Sequence, residues 1–555
     1  MFLRELKKDI AKVLSFNDLN IFSYPPNSEM GDLCLPLFSF AKERGLKPNE
    51  LADDFKEKII KDKKTKEVID EVKIIGPYLN IFINKGKLAE MVISDVLKHG
   101  DKYGFNNDGE NKKVVYEYSN ANTHKEIHIG HLRNIVFGEA IVNISRANGF
   151  DAHPVSFIND LGINTAKTVW AYKKGHSENI GLCYSWSVSE IDKNPEISEE
   201  ISTIMTDIEK KRGENYDLWK KTKELSVKEF EEIYDILGIG FEKTYFESDF
   251  SDRSVEIVED FLSRGIFKRS QGAIIADLEE YGLGVLPIVR SDGTSLYAAA
   301  DLALNEAKNK DFPNLAKSFI IVDVRQSLHF KQLFKIFELA GYKNDFTHLS
   351  YDFVKLPEGM MSSRSGKVIV LKDLYNQVVD KISIETKKRH EDWADDKIDK
   401  NSKLLAVAIL KFEMLKIAAN KTIVFDIKEA LKFEGFSALY ILYSIARMKS
   451  LLRKSNGLDL DFKVDNLIED IEKNIILEMA KYPDIVEKSS MDNDPSEIAK
   501  YLFDFTKMFN DYYQKVNILQ AESEIKKARL SLIFSCVVLL ENALALLGIK
   551  TLDEI

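Results

Sequence analysis

Three of the nine histidines in this chain lie between residues 124 and 131, and two of them flank Ile129 and Gly130. These two, His128 and His131, fall where a short apolar segment passes into a helical pattern. The first N–H groups of a helix are unpaired and carry the positive end of its dipole, so anions bind there. Imidazoles at that position can donate hydrogen bonds to a phosphate oxygen that gains charge, and Gly130 lets a phosphate or a flat ring approach the main chain. The pattern indicates nucleotidyl transfer from ATP, although a helix start with ordinary surface histidines explains so short a motif equally well.

The elements around this motif predict a parallel sheet. The segment "VVYEYS" is typical of a buried strand and "NANTHKEI" of a turn. The next segment places Leu132, Val136, Ala140, Ile141 and Ile144 on one helical face. A second strand pattern, "AHPVSFIND", completes a parallel strand–helix–strand unit with a right-handed crossover. Ligands bind beyond the carboxyl ends of such strands, so we expect the site there.

A second segment, "EGMMSSRSGKVIVLKDL" (358–374), is rich in small hydroxyl residues and cations. Its side chains Ser362, Ser363, Arg364 and Lys367 can wrap a triphosphate. A loop of this composition is by itself more often an ordinary surface loop. Because it follows a helix-start histidine pair in a chain of alternating strands and helices, it favours an ATP site.

Composition is that of a multidomain protein with ample core material. The 555 residues predict about three domains, and the net charge of −11 argues against a nucleic-acid coat without excluding a local basic face. Cys34, Cys183 and Cys536 lie far apart, so neither a cysteine zinc site nor a disulfide framework is indicated. The N-terminal segment is amphipathic and unlike a signal peptide, and the apolar run "LSLIFSCVVLL" is too short to span a bilayer.

We predict an α/β protein with three parts. Residues 1–107 form an N-terminal α+β domain, in which "VKIIGPYLNIFIN" (72–84) predicts two strands joined by a turn. Residues 108–395 form a Rossmann-type parallel-sheet catalytic domain with a helical insertion at about 175–245, after which "GAIIADL", "LPIVRSDG" and "SFIIVDVRQ" continue the strand–helix pattern. Residues 396–555 form an all-α helical bundle.

These segments together resemble the class I aminoacyl-tRNA synthetases, and specifically the arginyl-tRNA synthetase family. The resemblance is carried by "HIGH" at 128–131 within "EYSNANTHKEIHIGHLRN", a KMSKS-like loop at 360–364, "INDLG", "YAAADLA" and the N-terminal "GDLCLPLFSFAK" and "GPYLNIFI". It covers essentially the whole chain. It implies an arginine–tRNA ligase that forms arginyl-adenylate from L-arginine and Mg-ATP and transfers arginine to the 3′ end of its tRNA.

The resemblance also implies roles for individual residues. The implied arginine-binding residues are Glu117, Asn122, Tyr297, Asp301 and Gln326. Carboxylates suit a guanidinium, which is always charged and presents a rigid fork of donors. The implied ATP-binding residues are His128, Gly130, His131, Met361, Ser362, Ser363, Arg364 and Lys367.

The KMSKS-like loop departs from the family pattern, since Met360 replaces its first lysine and Ser363 its second. Members of the family often carry a lysine shortly before HIGH instead, and Lys125 occupies that place. We therefore expect Lys125 to act with His128 and His131 in catalysis, with Arg364 and Lys367 as further candidates to replace the loop lysines. His124 is expected to be a turn residue with no part in the chemistry.

The implied macromolecular partner is the tRNA for arginine. Tyr440, Tyr443 and Arg447 lie in the helical segment "YILYSIARMKSLLRK", and aromatics with cations suit splayed RNA bases and phosphates. A solvated helix face with core tyrosines explains them equally well. We expect a cytoplasmic monomer with neither a structural metal nor a membrane partner. Two alternatives stay open: a small-substrate nucleotidylyltransferase, and a catalytically silent tRNA-binding paralogue.

Overall fold

The computed structural model describes residues 1–291, 297–357, 369–455, 466–467 and 469–555, apart from the side chain of Tyr297. Its strands are β1 Leu33–Pro36, β2 Ile69–Ile75, β3 Tyr78–Ile83, β4 Lys113–Glu117, β5 Asp151–Ile158, β6 Lys243–Phe246, β7 Lys268–Ser270, β8 Ala273–Leu278, β9 Gly284–Val289, β10 Lys317–Asp323, β11 Asp345–Tyr351, β12 Val354–Lys355 and β13 Ile423–Val424. Its helices are α1 Phe2–Leu14, α2 Phe38–Arg44, α3 Pro48–Lys61, α4 Lys63–Lys66, α5 Lys85–His99, α6 Ile129–Ala147, α7 Ile163–Lys173, α8 Ile180–Lys193, α9 Ile197–Glu209, α10 Gly213–Leu237, α11 Ser251–Ser263, α12 Tyr297–Asp311, α13 Ser327–Ala340, α14 Leu371–Arg389, α15 Asp395–Leu415, α16 Ile427–Ala430, α17 Ala438–Lys454, α18 Asp470–Asp492, α19 Ser496–Lys515 and α20 Ser523–Leu546.

A five-stranded parallel sheet forms the centre of the molecule, with strand order β11-β10-β4-β5-β6. Helix α6 connects β4 to β5 as predicted, and the five apolar residues expected on its inner face are all buried. Strands β5 and β6 are added to one side of β4 in the sheet, whereas the later strands β10 and β11 are added to its other side. The strand order therefore reverses between β4 and β10, which creates a crevice beyond their carboxyl ends. This crevice positions the candidate site.

The N-terminal part has its own antiparallel sheet, in the order β1-β3-β2, covered by helices α1, α3 and α5. The predicted strand–turn–strand over 72–84 is confirmed as β2 and β3, which pair antiparallel. Asp32, which is fully buried, forms an ion pair with Lys473 of α18 at 2.9 Å. This contact fastens the N-terminal sheet to the C-terminal helices.

The segment after the insertion differs from the expected continuation of strand–helix units. Strands β7, β8 and β9 form a separate antiparallel sheet. Short turns at Ser270–Ala273 and Leu278–Gly284 join them, and connections of that length can only reverse the chain. The strand that follows the insertion in the central sheet is β6, which pairs with β5. Because β6 begins at Lys243, the helical insertion ends before that residue.

The C-terminal part predicted over residues 396–555 is helical from α15 to α20, apart from the two-residue strand β13. A pair of two-residue parallel strands, β12 and β13, crosses the junction with the catalytic part, where α6 also packs against α15 and α20. Among the described residues, one helix, α20, is long and apolar enough to cross a membrane, and 78% of its most apolar stretch is buried inside the protein. That burial is typical of a core helix in a bundle.

Candidate active site

His128 and His131 lie at the N-terminus of α6 with their ring centroids 3.9 Å apart. The main-chain N–H of Gly130 donates to Nδ1 of His128, and that of His128 donates to Nδ1 of His131, each at 3.1 Å. Because both Nδ1 atoms accept a hydrogen bond, each neutral ring carries its proton on Nε2. The two side chains therefore present two N–H donors beside the positive end of a helix.

The surroundings keep both imidazoles uncharged. Burial, with a smaller effect from the Lys125 charge, lowers the pKa of His128 to about 4. Burial, His128 and Lys125 lower the pKa of His131 well below its ordinary value. Neutral donors in a poorly solvated site suit an oxygen whose negative charge grows during reaction, because water competes weakly for it there.

Gly130 makes room for a ring of the protein itself. A Cβ at this position would lie 2.9 Å from Cε1 of His128, closer than such atoms normally approach.

Asn134, one turn further along α6, joins the two strands that border the crevice. It accepts from the main-chain N–H of Ser119, just after β4, and donates to the carbonyl of Ile321 in β10 at 2.6 Å. The helix start is thus fixed to the point where the strand order reverses.

The segment after the KMSKS-like loop returns to this helix start. Val370 pairs with His128 in an isolated antiparallel β-bridge, and the N–H of Leu371 donates to the carbonyl of Ile127 at 2.9 Å. The loop residues themselves lie outside the described residues, so their predicted roles stay predictions: Met360, Met361, Ser362, Ser363, Arg364 and Lys367.

Asp301, on α12, belongs to an acidic cluster with Glu247 and Asp160. Its carboxylate contacts Nε2 of His329 at 3.1 Å. Glu247, directly after β6, is close enough to interact electrostatically with Asp301. Burial, together with the charges of Asp160 and Asp301, raises the pKa of Glu247 to about 7. Two neighbouring carboxyl groups, of which Glu247 has the raised pKa, form a cluster suited to a cationic ligand.

The remaining predicted arginine ligands lie in different surroundings. Glu117 is buried and accepts hydrogen bonds from Lys308 at 2.7 Å and from Asn120 at 2.8 Å. Asn122 is exposed and bridges Asn159, whose side chain donates to Glu247 at 3.2 Å. Gln326 is exposed just after β10, and the side chain of Tyr297 lies outside the described atoms. Asn122 is therefore connected to the acidic cluster, whereas Glu117 is already paired with the Lys308 ammonium.

His124 lies in a turn, as expected, and its side chain also holds that turn in place. It is fully buried, and its two ring nitrogens contact the hydroxyls of Thr123 at 2.7 Å and Thr222 at 2.9 Å. Thr222 belongs to α10, so the turn before HIGH is fixed to the helical insertion. The sequence offered no sign of this, since the two residues are 98 positions apart. Lys125 follows directly, with its ammonium 5.1 Å from the ring centroid of Tyr184.

A cavity of about 520 Å³ lies on the C-terminal helices beside α17. Tyr443 and Arg447 line it together with Tyr513 and Trp393. The Arg447 guanidinium lies 5.5 Å from the ring of Tyr443 and 5.3 Å from that of Tyr513. Tyr440 packs instead against Phe503, with ring centroids 5.7 Å apart. Two of the three residues predicted to bind RNA thus share one aromatic, cationic groove.

Comparison with known proteins decides the family. The model described as "tRNA synthetases class I (R), catalytic domain" matches residues 92–427. The models described as "Arginyl tRNA synthetase N terminal domain" and "DALR anticodon binding domain" match residues 2–83 and 441–555. The arginine–tRNA ligase of Halothermothrix orenii is 34% identical and covers 99% of this chain and 100% of its own length. That of Clostridium acetobutylicum is 34% identical over 96% of each chain.

The chain belongs to the arginyl-tRNA synthetase family. It is an aminoacyl-tRNA ligase of class I, and the nucleotidylyltransferase alternative is excluded. The fold agrees: the arginyl-tRNA synthetase of Thermus thermophilus superposes with a TM-score of 0.86 at 23% identity, covering 100% of both chains. That of Plasmodium falciparum gives a TM-score of 0.80 at 21% identity over 100% of this chain and 98% of its own.

Several side chains near the candidate sites were not predicted from the sequence. Glu247 follows strand β6, and its position after a strand was a usable signal, but the expected insertion extended over that strand. His329, which contacts Asp301, carried no local signal, because tertiary packing places it there. The same holds for Trp393 and Tyr513, which line the groove beside α17.

Among the described residues, no group of three or more His, Cys, Asp or Glu side chains is arranged to hold a metal ion.

Proposed function

We propose that this chain ligates L-arginine to its tRNA in two steps. In the first, the arginine carboxylate attacks the α-phosphate of ATP, which is bound as its Mg²⁺ complex, and pyrophosphate leaves. In the second, a hydroxyl of the terminal ribose of the tRNA attacks the arginyl carbonyl of the adenylate, an ester forms, and AMP leaves. The observation that carries the proposal is the pair of neutral Nε2–H donors that His128 and His131 present at the start of α6.

These donors act on the α-phosphate. During attack, negative charge grows on the non-bridging oxygens, and prearranged donors stabilise the transition state more than the ground state. Lys125 supplies a cation for the β- and γ-phosphates, and the loop residues Met361, Ser362, Ser363, Arg364 and Lys367 complete the ATP site. The chain holds the phosphates at a helix N-terminus, where main-chain N–H groups add to the positive potential.

Asp301 and Glu247 bind the guanidinium of arginine. A guanidinium can pair with both carboxyl groups, and its charge favours the ionised form of Glu247. Asn122, Tyr297 and Gln326 hold the rest of the amino acid. Glu117 stays a predicted arginine ligand, and its ion pair with Lys308 also fixes the end of β4.

The tRNA binds along the C-terminal helices, with Tyr443 and Arg447 contacting bases in the groove beside α17. Aromatic rings accept unstacked bases, and the guanidinium adds charge and a flat stacking surface. Tyr440, which packs against Phe503, supports that helix. We propose the divisions 1–107, 108–395 and 396–555 as its three domains, and a monomer acting in the cytoplasm, where tRNA is charged for translation.

Charging of radiolabelled arginine onto tRNA tests the proposal. We expect acid-precipitable arginine to accumulate only when ATP and tRNA are both present, and no charging with lysine. A protein that bound tRNA but charged no amino acid would be the silent paralogue. The family resemblance also implies that tRNA is needed for adenylate formation, so arginine-dependent ATP–pyrophosphate exchange without tRNA would contradict that part.

A further inference from the structure

The turn before HIGH is held by the helical insertion rather than by the parallel sheet alone. His124 has a φ of +64°, which is strained for a residue with a side chain, and its main-chain N–H donates to the hydroxyl of Ser226 on α10 at 2.9 Å. Thr168 of α7 donates to the His124 carbonyl at 3.4 Å. The His124 ring also forms a hydrogen bond with the hydroxyl of Thr222, so helices α7 and α10 together fix the conformation of this turn. The conformation at His124 sets the direction in which Lys125 leaves the main chain.

Helix α8 contacts the next two residues of the turn. Gly181, near the start of α8, lies so close to Glu126 that a Cβ there would be 2.0 Å from the Glu126 Cγ. Tyr184 follows three residues later on the same face of the helix, and its ring lies 5.1 Å from the Lys125 ammonium. The close approach at Gly181 therefore brings the Tyr184 ring to the lysine.

An aromatic face suits the task of holding a catalytic lysine. A lysine side chain has many rotamers, and a ring restricts them through its attraction for the ammonium. A carboxylate would do the same but would bring a negative charge towards the phosphates. The Lys125 charge also acts on both HIGH histidines, so its ammonium lies near the place where the phosphates would bind.

We propose that Tyr184 is a positioning residue that holds the Lys125 ammonium beside the start of α6, and that the helical insertion serves as the platform for this lysine. The inference rests on the proposed role of Lys125 at the ATP phosphates. It assigns a purpose to the insertion that composition alone did not suggest.

A double-mutant cycle tests it. The variants are Tyr184→Leu, Tyr184→Phe, Lys125→Met and the double Tyr184→Leu/Lys125→Met, measured by ATP–pyrophosphate exchange with arginine and tRNA present. We expect Tyr184→Leu to lower kcat/KM for ATP by about 3- to 30-fold, the range that an ammonium–ring contact is worth. The KM for arginine should not change, and Tyr184→Phe should stay near wild type because the ring is kept.

The decisive result is the cost of Tyr184→Leu when Lys125 is already Met. We expect no further loss, because the ring then has no ammonium to hold. An equal loss in both backgrounds, or an equal loss in Tyr184→Phe, would overturn the positioning role. Leu182→Ala, at an exposed position of the same helix, is the matched control and should behave as wild type. Thermal melting of each variant excludes loss of folding, and wild-type charging of arginine tests the proposed function separately.

Discussion

His128 holds two roles that a single substitution can separate. Its Nδ1 accepts the N–H of Gly130 as the cap of α6, and its Nε2 presents a proton to the candidate phosphate site. Asparagine is among the best N-cap residues, but its side chain is too short to place a donor where Nε2 lies. We therefore expect His128→Asn to keep the helix cap and to lose the phosphate contact.

The size of each effect follows from the environment. One prearranged donor to a developing oxyanion is worth about 2.7–4 kcal/mol, so kcat should fall about 10²- to 10³-fold. Burial that lowers the pKa of His128 to about 4 also limits the water that could replace the donor. The cap is worth about 1 kcal/mol, which His128→Ala should lose and His128→Asn should largely retain.

The assay is ATP–pyrophosphate exchange with tRNA present, giving kcat and the KM for arginine, with thermal melting of both variants. A kcat for His128→Asn within about threefold of wild type, or a loss confined to the KM for arginine, would refute the reasoning. The pH profile adds a check. With a pKa of about 4, the imidazole is neutral at pH 6–8. A wild-type kcat that declined with rising pH in this range, but not in His128→Asn, would show that a charged ring acts instead.

Three further outcomes are expected. Asp301→Asn should raise the KM for arginine about 100-fold in the exchange assay, because hydrogen bonds to charged groups are worth about 1.5–3 kcal/mol each. Glu247, with a pKa of about 7, gains its negative charge as pH rises, so the KM for arginine should fall between pH 6 and 8, and Glu247→Gln should abolish that trend. Arg447→Ala should raise the KM for tRNA about tenfold in the charging assay with the KM for arginine unchanged, since stacking contributes about 1–3 kcal/mol per base. Its matched control is Lys449→Met, because the Lys449 ammonium is already paired with two carboxylates.

Local patterns predicted the elements that carry the HIGH motif. Strand β4, helix α6 and strand β5 follow from hydrophobic periodicity, because each buries a face defined by neighbouring residues. The parallel order of these strands follows from the helix that joins them, so the position of His128 at the edge of a crevice was predictable.

Contacts between distant segments were beyond such reasoning. Lys308 pairs with Glu117 across 191 positions, and nothing near either residue in the sequence indicates the other. The acidic cluster likewise combines Asp301 of α12 with Glu247 after β6, which are close because α12 packs against the segment that follows β6. Family resemblance supplied Asp301, whereas the proximity and raised pKa of Glu247 required the packed structure.

Arg133 connects the N-terminal end of α6 to the C-terminal helices. Its guanidinium is buried, and burial lowers its pKa to about 10. Within the described part of the chain, its hydrogen bonds go to five main-chain carbonyls, those of Asp352, Phe353, Ala418, Ala419 and Lys421. Two of these carbonyls precede β12 and three follow α15, so the planar guanidinium holds both segments against α6. A lysine could not do this, because its ammonium has only three donors at a single point. His131 lies two residues away on the same turn of helix. Arg133 therefore joins the segment before β12 and the segment after α15 to the helix that begins at the HIGH motif.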